Sequence, residues 1–453
     1  MALAVVLLLL IVGSVIFHFA SPWWFTPIAA EWQSIDFTIN VTFWVTGLVF
    51  IAVNAFMAYC VWKFRQKEGH KAVYEPENSR LEAGLSIVTT LGVVAMLAPG
   101  LFVWATFVTV PEEATDYEVV GQQWQWSFRY PGADGILGTA DTVFVSENNP
   151  LGVNPEDPNS QDDVIVNGPE MRLPVNQPVR ALLRSKDVLH NYTVPQFRVK
   201  MDLVPGLVSY QWFTPNLVGE YDILCEELCG IAHFIMRGRV IVEEQADYDA
   251  WLARQPTFAE TQSMAEPNVA AGEQQYAACA SCHGQQGEGN EALNAPRLAG
   301  LQDWYVARQL RYYQQGVRGG EGDPMGQMMA PMAAMLSTDE AIANVSAYIG
   351  GMELERSPAT LEGGNIDNGR RIYQSNCAAC HLPDASGTWY TDAPNLAGMS
   401  DWYFERQINN FRSGVRGLHP QDDYGEQMVS MATAVANVQE IADVAAYIHT
   451  LAE

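Results

Sequence analysis

The sequence predicts a multidomain chain with an α-helical membrane anchor, one all-β domain and two all-α domains. Three observations carry this. The first ~110 residues are dominated by apolar runs. Short alternating runs punctuated by Gly, Pro and Asn follow from about Tyr117 to Glu243. Beyond these the chain repeats itself with a period of ~98 residues. A length of 453 residues also exceeds what one ordinary core accommodates. The expected boundaries are 1–20 for an N-terminal apolar helix, 38–110 for a transmembrane hairpin, 115–245 for the β domain, and 265–355 and 360–453 for the two repeats.

Residues 1–19, MALAVVLLLLIVGSVIFHF, are just long enough for a short span. They lack a basic start and a clean small-residue cleavage site, so a retained helix is expected rather than a signal peptide. Further apolar stretches run from about Val41 to Trp62 and from about Leu85 to Val108, each near the ~20 residues a bilayer crossing needs. The connection between them carries Lys63, Arg65, Lys67, Lys71 and Arg80. By the positive-inside rule it is cytoplasmic, so everything after Val110 faces the outside. Trp23, Trp24 and Trp32 are then expected at the outer interface as an aromatic belt.

In the β region, VRALLRS, IVNG and RGRVIVEE alternate as sandwich or barrel strands do. The stretch 131–163 is too polar for core strands and reads as a long surface loop. Its Asp134, Asp141, Asp157 and Asp162 are a calcium candidate, against the commoner reading of solvated loop acids.

The net charge of -27 excludes nucleic acid as a partner, because phosphate binding needs clustered Lys and Arg. From residue 261 onward there are 23 acidic residues against 10 Arg and no Lys, a net of -13. Such a surface would steer a basic redox partner toward it, with strong salt dependence; simple solubility is the alternative explanation.

Six of the seven cysteines form three close pairs, each followed by a histidine. A disulfide has no need of that histidine, whereas a metal or haem does. In the repeats, ACASCHG matches NCAACHL, APRLAGLQDWYVARQL matches APNLAGMSDWYFERQI, and QGVRG matches SGVRG. Each copy opens with C-x-x-C-H, whose thiols add to the haem vinyl groups while the imidazole ligates iron. Cys279, Cys282 and His283 are therefore assigned to one haem c, and Cys377, Cys380 and His381 to a second. A zinc ribbon would need a second cysteine pair in each repeat, and none is there.

The opposite axial ligand is sought in QMMAPMAAM and QMVSMATA. An M-x-x-M alignment with a one-residue gap pairs Met329 with Met428 and Met332 with Met431. The arrangement resembles tandem two-haem cytochromes of the c4 kind, which implies that the first Met of each pair, Met329 and Met428, is the ligand. Methionine ligation raises the haem potential and suits delivery to a strong oxidant.

CEELCGIAHFIM places Cys225, Glu227, Cys229, His233 and Met236 in one loop. Thiolate, thioether and imidazole together select copper, and two cysteines four apart suggest a copper pair bridged by both sulfurs. His190, in DVLHNYTVPQF, supplies a further imidazole; the competing explanation is a structural disulfide.

GQQWQWSFRY, DVLHNYTVPQFRVKMDLVPG and CEELCGIAHFIMRG resemble the copper-binding half of cytochrome c oxidase subunit II, over roughly residues 38–245. The haem repeats extend the likeness to the caa3-like branch with fused cytochrome c domains. The resemblance implies a cupredoxin-like barrel with His190, Cys225, Cys229, His233 and Met236 as side-chain ligands of a dinuclear copper centre. It implies that Glu227 gives its carbonyl to copper and its carboxylate to a magnesium site shared with subunit I. Trp124 falls on the family's electron-accepting aromatic, and Glu82 on the carboxylate at a proton-channel mouth. The family tryptophan soon after this Glu is absent here, where the sequence reads EAGLS. The expected chain is thus an oxidoreductase subunit of a haem-copper oxidase in a bacterial inner membrane. Its copper and haem domains face the periplasm. Its partners would be subunit I and other oxidase subunits, membrane lipid, and a cytochrome c or quinol-cytochrome c oxidoreductase as donor. The chain lacks the intramembrane histidine cluster of an oxygen-reducing site, which must lie on another chain. Electron input to a copper-containing nitric oxide reductase and a free-standing membrane shuttle are the alternatives.

Overall fold

The computed structural model describes residues 2–21, 26–71, 74, 76–263, 266–353 and 359–451; Trp23 and Trp24 lie outside the described residues. Three apolar helices come first: α1 (Ala2–Ala20), α2 (Gln33–Lys63) and α3 (Ser79–Phe107). At most 6% of each apolar window is buried within the chain, so their side chains are left for lipid or other subunits to cover. Even the hydroxyls of α2 are made safe for that setting. Thr38, Thr42 and Thr46 each donate to the carbonyl four residues back, at 2.8, 2.9 and 2.7 Å.

Helix α2 starts well before the apolar stretch that predicts it, because its first turn is anchored to the β domain. The Arg198 guanidinium forks onto Asp36 at 2.7 and 2.8 Å. Trp32 is the correction to the aromatic-belt expectation. It is 2% exposed, donates to the Trp212 carbonyl at 3.2 Å, and packs on Trp212 and Phe107 with ring centroids 4.7 and 5.0 Å away. It is a rivet between membrane helices and β domain rather than a headgroup anchor.

The β domain is a sandwich of two five-stranded sheets. One has the order β3 (Val164–Asn167), β2 (Gln125–Tyr130), β1 (Thr115–Gln122), β5 (Val179–Ser185), β8 (Ser209–Phe213). The other has the order β4 (Glu170–Pro174), β10 (Arg237–Glu243), β9 (Gly219–Leu224), β6 (His190–Val194), β7 (Val199–Leu203). Alternation shows most clearly in β5, where every second residue is buried. The facing sides share one core that includes Trp126, Phe128, Tyr130, Tyr192, Phe197 and Phe213. The long loop between β2 and β3 is tied down by Arg129, which bonds Glu118 and Asp163 at 2.8 and 2.7 Å and the Gly138 carbonyl at 2.7 Å. The loop aspartates hold local turns. Asp157 accepts from both the amide and the hydroxyl of Thr139, Asp162 from the Asp134 amide, and Asp141 from the Val143 amide. These carboxylates work as turn caps, and among the described residues they form no cluster of metal-ligand spacing.

Helices α4 (Gln245–Leu252) and α5 (Phe258–Gln262) lead into the repeats. The first repeat contains α6 (Val269–His283), α7 (Asp303–Gln314), α8 (Pro324–Ala334) and α9 (Asp339–Gly350). The second contains α10 (Ile366–Asn376), α11 (Ala378–His381), α12 (Asp401–Arg412), α13 (Asp423–Ala432) and α14 (Val438–Thr450). In both, the first and last helices cross at a glycine. A Cβ on Gly272 would lie 2.0 Å from the Asn344 carbonyl oxygen, and one on Gly369 would lie 1.9 Å from that of Asp443. The same last-helix residues accept from the first helix's N-cap amide, at Asn268 (2.6 Å) and Asn365 (2.7 Å). The duplicated sequence therefore folds into a duplicated packing.

Candidate metal and haem centres

The copper candidates come from two neighbouring strands. β6 opens with His190, and β9 ends just before Cys225; the two strands pair through Thr193 and Leu224, which brings their ends together. The turn from Cys225 to Met236 then folds back over this end. Cys225 Sγ and Cys229 Sγ lie 3.8 Å apart as free thiols, which disposes of the disulfide alternative in this structure. His233 Nδ1 and Met236 Sδ lie 3.5 and 3.7 Å from Cys229 Sγ, and the Glu227 carbonyl oxygen 3.3 Å from Cys225 Sγ. The donor atoms of His190, Cys225 and Cys229 are all within 4.8 Å of one another.

His190 shows that this arrangement suits a metal. Its Nε2 is held by Asp187 at 2.7 Å, while its Nδ1 is buried without a hydrogen-bond partner. The carboxylate fixes the proton on Nε2 and turns the Nδ1 lone pair toward the sulfurs, as outer partners of metal-bound histidines do. The contact between the two sulfurs holds the Cys225 thiol well below its ordinary range, helped by backbone amides, and pushes Cys229 the other way. A soft, nearly dry pocket of two thiols, two imidazoles, a thioether and a carbonyl fits a copper pair. Asp187 is the functional residue that sequence reasoning missed, although it stands three positions before His190. Asp187→Ala is expected to weaken copper binding by about 10–100-fold. Chelator competition measures this, and unchanged affinity would remove Asp187 from the site.

Trp124 lies against the same loop. Its indole N–H donates to the Cys229 carbonyl at 3.1 Å, as does Gln123 Nε2 at 2.7 Å. Gly230, at φ +123°, makes this approach possible, since a Cβ there would meet Gln123 Nε2 at 2.7 Å and the Trp124 ring at 2.8 Å. Glu82 lies elsewhere, in the exposed first turn of α3. Its carboxylate meets the Asn78 amide at 3.4 Å, while the Asn78 side chain accepts from the Leu81 amide.

Each repeat carries a cleft open to solvent, with about 1050 and 670 Å³ of space counted out to its mouth. The first is lined by Cys279, His283 and Met329, the second by His381 and Met428. Met431, one turn beyond Met428, packs instead on the core of the β domain. His283 Nδ1 bonds the Pro296 carbonyl at 2.7 Å and His381 Nδ1 the Pro394 carbonyl at 2.9 Å, which leaves each Nε2 free to bind iron. Burial lowers the pKa of both imidazoles.

The clefts adjoin, and each is completed by the other repeat. Met399, Tyr403, Arg406 and Gln407 line the first; Tyr305, Arg308, Gln309 and Tyr312 line the second. Across the junction Arg308 pairs with Asp392 at 3.0 Å, Arg406 with Asn294, and Arg416 reaches the Tyr305 hydroxyl at 3.2 Å. Five arginines (297, 308, 318, 406 and 416) and three aspartates (323, 392 and 422) line the clefts. The Nε atoms of Arg308, Arg318 and Arg416 are buried without a partner. Haem propionates would satisfy such donors and offset the positive excess, so these residues fit the group. The recurrence of Arg308 as Arg406 and of Arg318 as Arg416 is visible in the sequence; their convergence at the junction is not.

The family model described as cytochrome c oxidase subunit II, periplasmic domain, matches residues 116–244. The cytochrome c model matches 269–353 and again 366–452. An alternative cytochrome c oxidase subunit 2 of Bradyrhizobium diazoefficiens is 59% identical over 57% of this chain and 94% of that relative. A cytochrome c oxidase subunit 2 of Cereibacter sphaeroides is 30% identical over 50% of this chain and 77% of that one. Reduced recombinant cytochrome c4 from Pseudomonas stutzeri is 24% identical over 40% of this chain and 98% of that chain, with a TM-score of 0.33.

Proposed function

Because the chain belongs to the cytochrome c oxidase subunit 2 family, we propose that it receives electrons from a cytochrome c or a quinol-oxidising complex and passes them to subunit I. The route runs through two c-type haems and one dinuclear copper centre. Electron input to a haem-copper oxidase follows from the family and its fused cytochrome c domains. One observation supports the finer reading: six donor groups, of His190, Cys225, Glu227, Cys229, His233 and Met236, gather in the same chain as two histidine-faced clefts that share an arginine-lined junction.

The cofactors supply one-electron chemistry with little movement of charge or ligands. The chain's own residues do the rest. His190, Cys225, Cys229, His233, Met236 and the Glu227 carbonyl would hold copper, with Asp187 setting the His190 tautomer. Cys279, Cys282 and Cys377, Cys380 anchor the haems. His283 with Met329, and His381 with Met428, would hold the haem irons. The Glu227 carboxylate would be available to a magnesium ion shared with subunit I. The three apolar helices hold the assembly in a bacterial inner membrane, against lipid and subunit I, with the metal-bearing domains in the periplasm. Tethering raises the effective donor concentration to roughly the millimolar range and removes a diffusional step. Glu82, beside the basic connection, stands at the mouth of a proton channel completed by subunit I.

Oxygen uptake by the purified complex with reduced cytochrome c tests this function, and activity on nitric oxide alone would overturn it. Met329→His and Met428→His should each change one haem's absorption and lower its potential. If Met332 or Met431 variants do so instead, the ligands are misassigned. Glu82→Gln should slow oxygen turnover while the haems and copper are still reduced at the native rate, and unchanged turnover would remove its role.

A further inference from the structure

We propose that the second helical domain is the one that hands electrons to the copper site, that Tyr390 is the residue positioning it there, and that an external donor therefore connects at the first helical domain. The proposal rests on the subunit reading above and adds an order and a contact to it.

The contact surrounds one side chain. The Tyr390 hydroxyl donates to the Lys186 carbonyl at 2.9 Å, and the Tyr390 carbonyl accepts from Gln122 Nε2 at 2.7 Å. The Lys186 ammonium sits over the Tyr390 ring, 4.4 Å from its centroid, and Gln125 Nε2 reaches Asp392 at 3.0 Å. Cys380, a haem-attachment residue, packs with Met431 on the core of the β domain. On the other side Glu426 and Gln427, next to Met428, line a small cleft with Trp124. Trp124 is 3% exposed, so the aromatic expected to receive electrons from outside is covered.

A short bonded path follows from these contacts. The Cys380 carbonyl accepts from Thr391 Oγ1 at 2.7 Å, and Thr391 is bonded to Tyr390. Tyr390 reaches the Lys186 carbonyl, Lys186 is bonded to Asp187, and Asp187 holds the copper ligand His190. The step along it moves one electron. A ferrous haem becomes ferric and one copper(II) in the pair becomes copper(I), with no bond made or broken and a c-type cytochrome as the reductant. Where the first helical domain approaches the β-domain loop, at an open cleft that Gly387, Thr388 and Trp389 of the second also line, Asp303 and Glu147 bring like charges together.

The test uses the full chain in its complex, as Tyr390→Phe and, on the copper-domain side, Gln125→Ala. After rapid reduction by a c-type cytochrome, the haems should fill at the native rate. Copper reduction should lag about five-fold, the factor one interface hydrogen bond represents. Haem potentials and the copper spectrum should not move. In the copper-free chain, amide exchange over residues 183–191 should quicken by a similar factor in Tyr390→Phe. Native copper reduction and native exchange in both variants would overturn the proposal while leaving the subunit reading intact. A lag in Gln125→Ala alone would overturn the role of Tyr390. Failure of the native chain to pass electrons from haem to copper would overturn both readings.

Discussion

Cys225→Ser should strip the copper centre while leaving both haems in place. Cys225 Sγ stands between Cys229 Sγ and the Glu227 carbonyl, and the unpartnered His190 nitrogen faces this same group of donors. Serine offers a hard oxygen that does not ionise near neutral pH, and a copper pair needs soft thiolate. The loss of affinity should exceed the ~100-fold typical of removing an outer partner. Copper content per haem and the near-infrared absorption of the pair report it. Because the haem clefts lie in other domains, C-x-x-C-H attachment and haem spectra should stay normal, and an external cytochrome should still reduce the haems. Oxygen uptake should fall to background. A variant with full copper and native turnover would refute the assignment of Cys225.

The second large effect is on stability. Arg129 is 3% exposed and bonds two carboxylates at once; Glu118 in turn also holds Arg184 at 2.9 Å. Burial would raise the pKa of Glu118, but Arg129 and Arg184 hold it below its ordinary value, whereas burial pushes Asp163 up to about 6 despite Arg129. Arg129→Met leaves both carboxylates buried with their main counter-charge gone, at a cost of about 3–5 kcal/mol. The melting temperature of the β domain should drop by roughly 10–15 °C. The sign of the pH dependence follows. Without Arg129 the folded-state pKa values of both acids rise, so the penalty is present at neutral pH and fades as acid protonates them, toward about pH 4. A loss below about 1 kcal/mol at pH 7 would show that the network is not needed to hold the loop.

How much of this was readable beforehand depends on how local each signal is. C-x-x-C-H and C-x-x-x-C with His and Met lie within one turn or loop, so spacing alone points to their chemistry. The membrane helices and the duplication announce themselves by apolar runs and self-similarity. Contacts between distant residues left no such trace. Asp187 looks like any turn acid until the fold sets it against His190. Trp32 reads as a membrane-interface aromatic until Trp212, 180 residues away, closes over it. Helix α2 was expected to start at the apolar stretch, whereas Asp36 and Arg198 extend it outward. Tyr390 occupies a position in the second repeat that carries no motif, so its place against Lys186 appears only in three dimensions.

The mutual lining of the two clefts bears on how such a chain could have arisen and how it could be lost. A gene duplication usually leaves two copies that drift apart freely. Here Arg308 completes the neighbour's cleft and Arg406 completes its own repeat's predecessor, so each copy is part of the other's binding wall. Deleting either one opens the survivor to water on the side where its charges are concentrated. The two repeats thus form one binding unit rather than two.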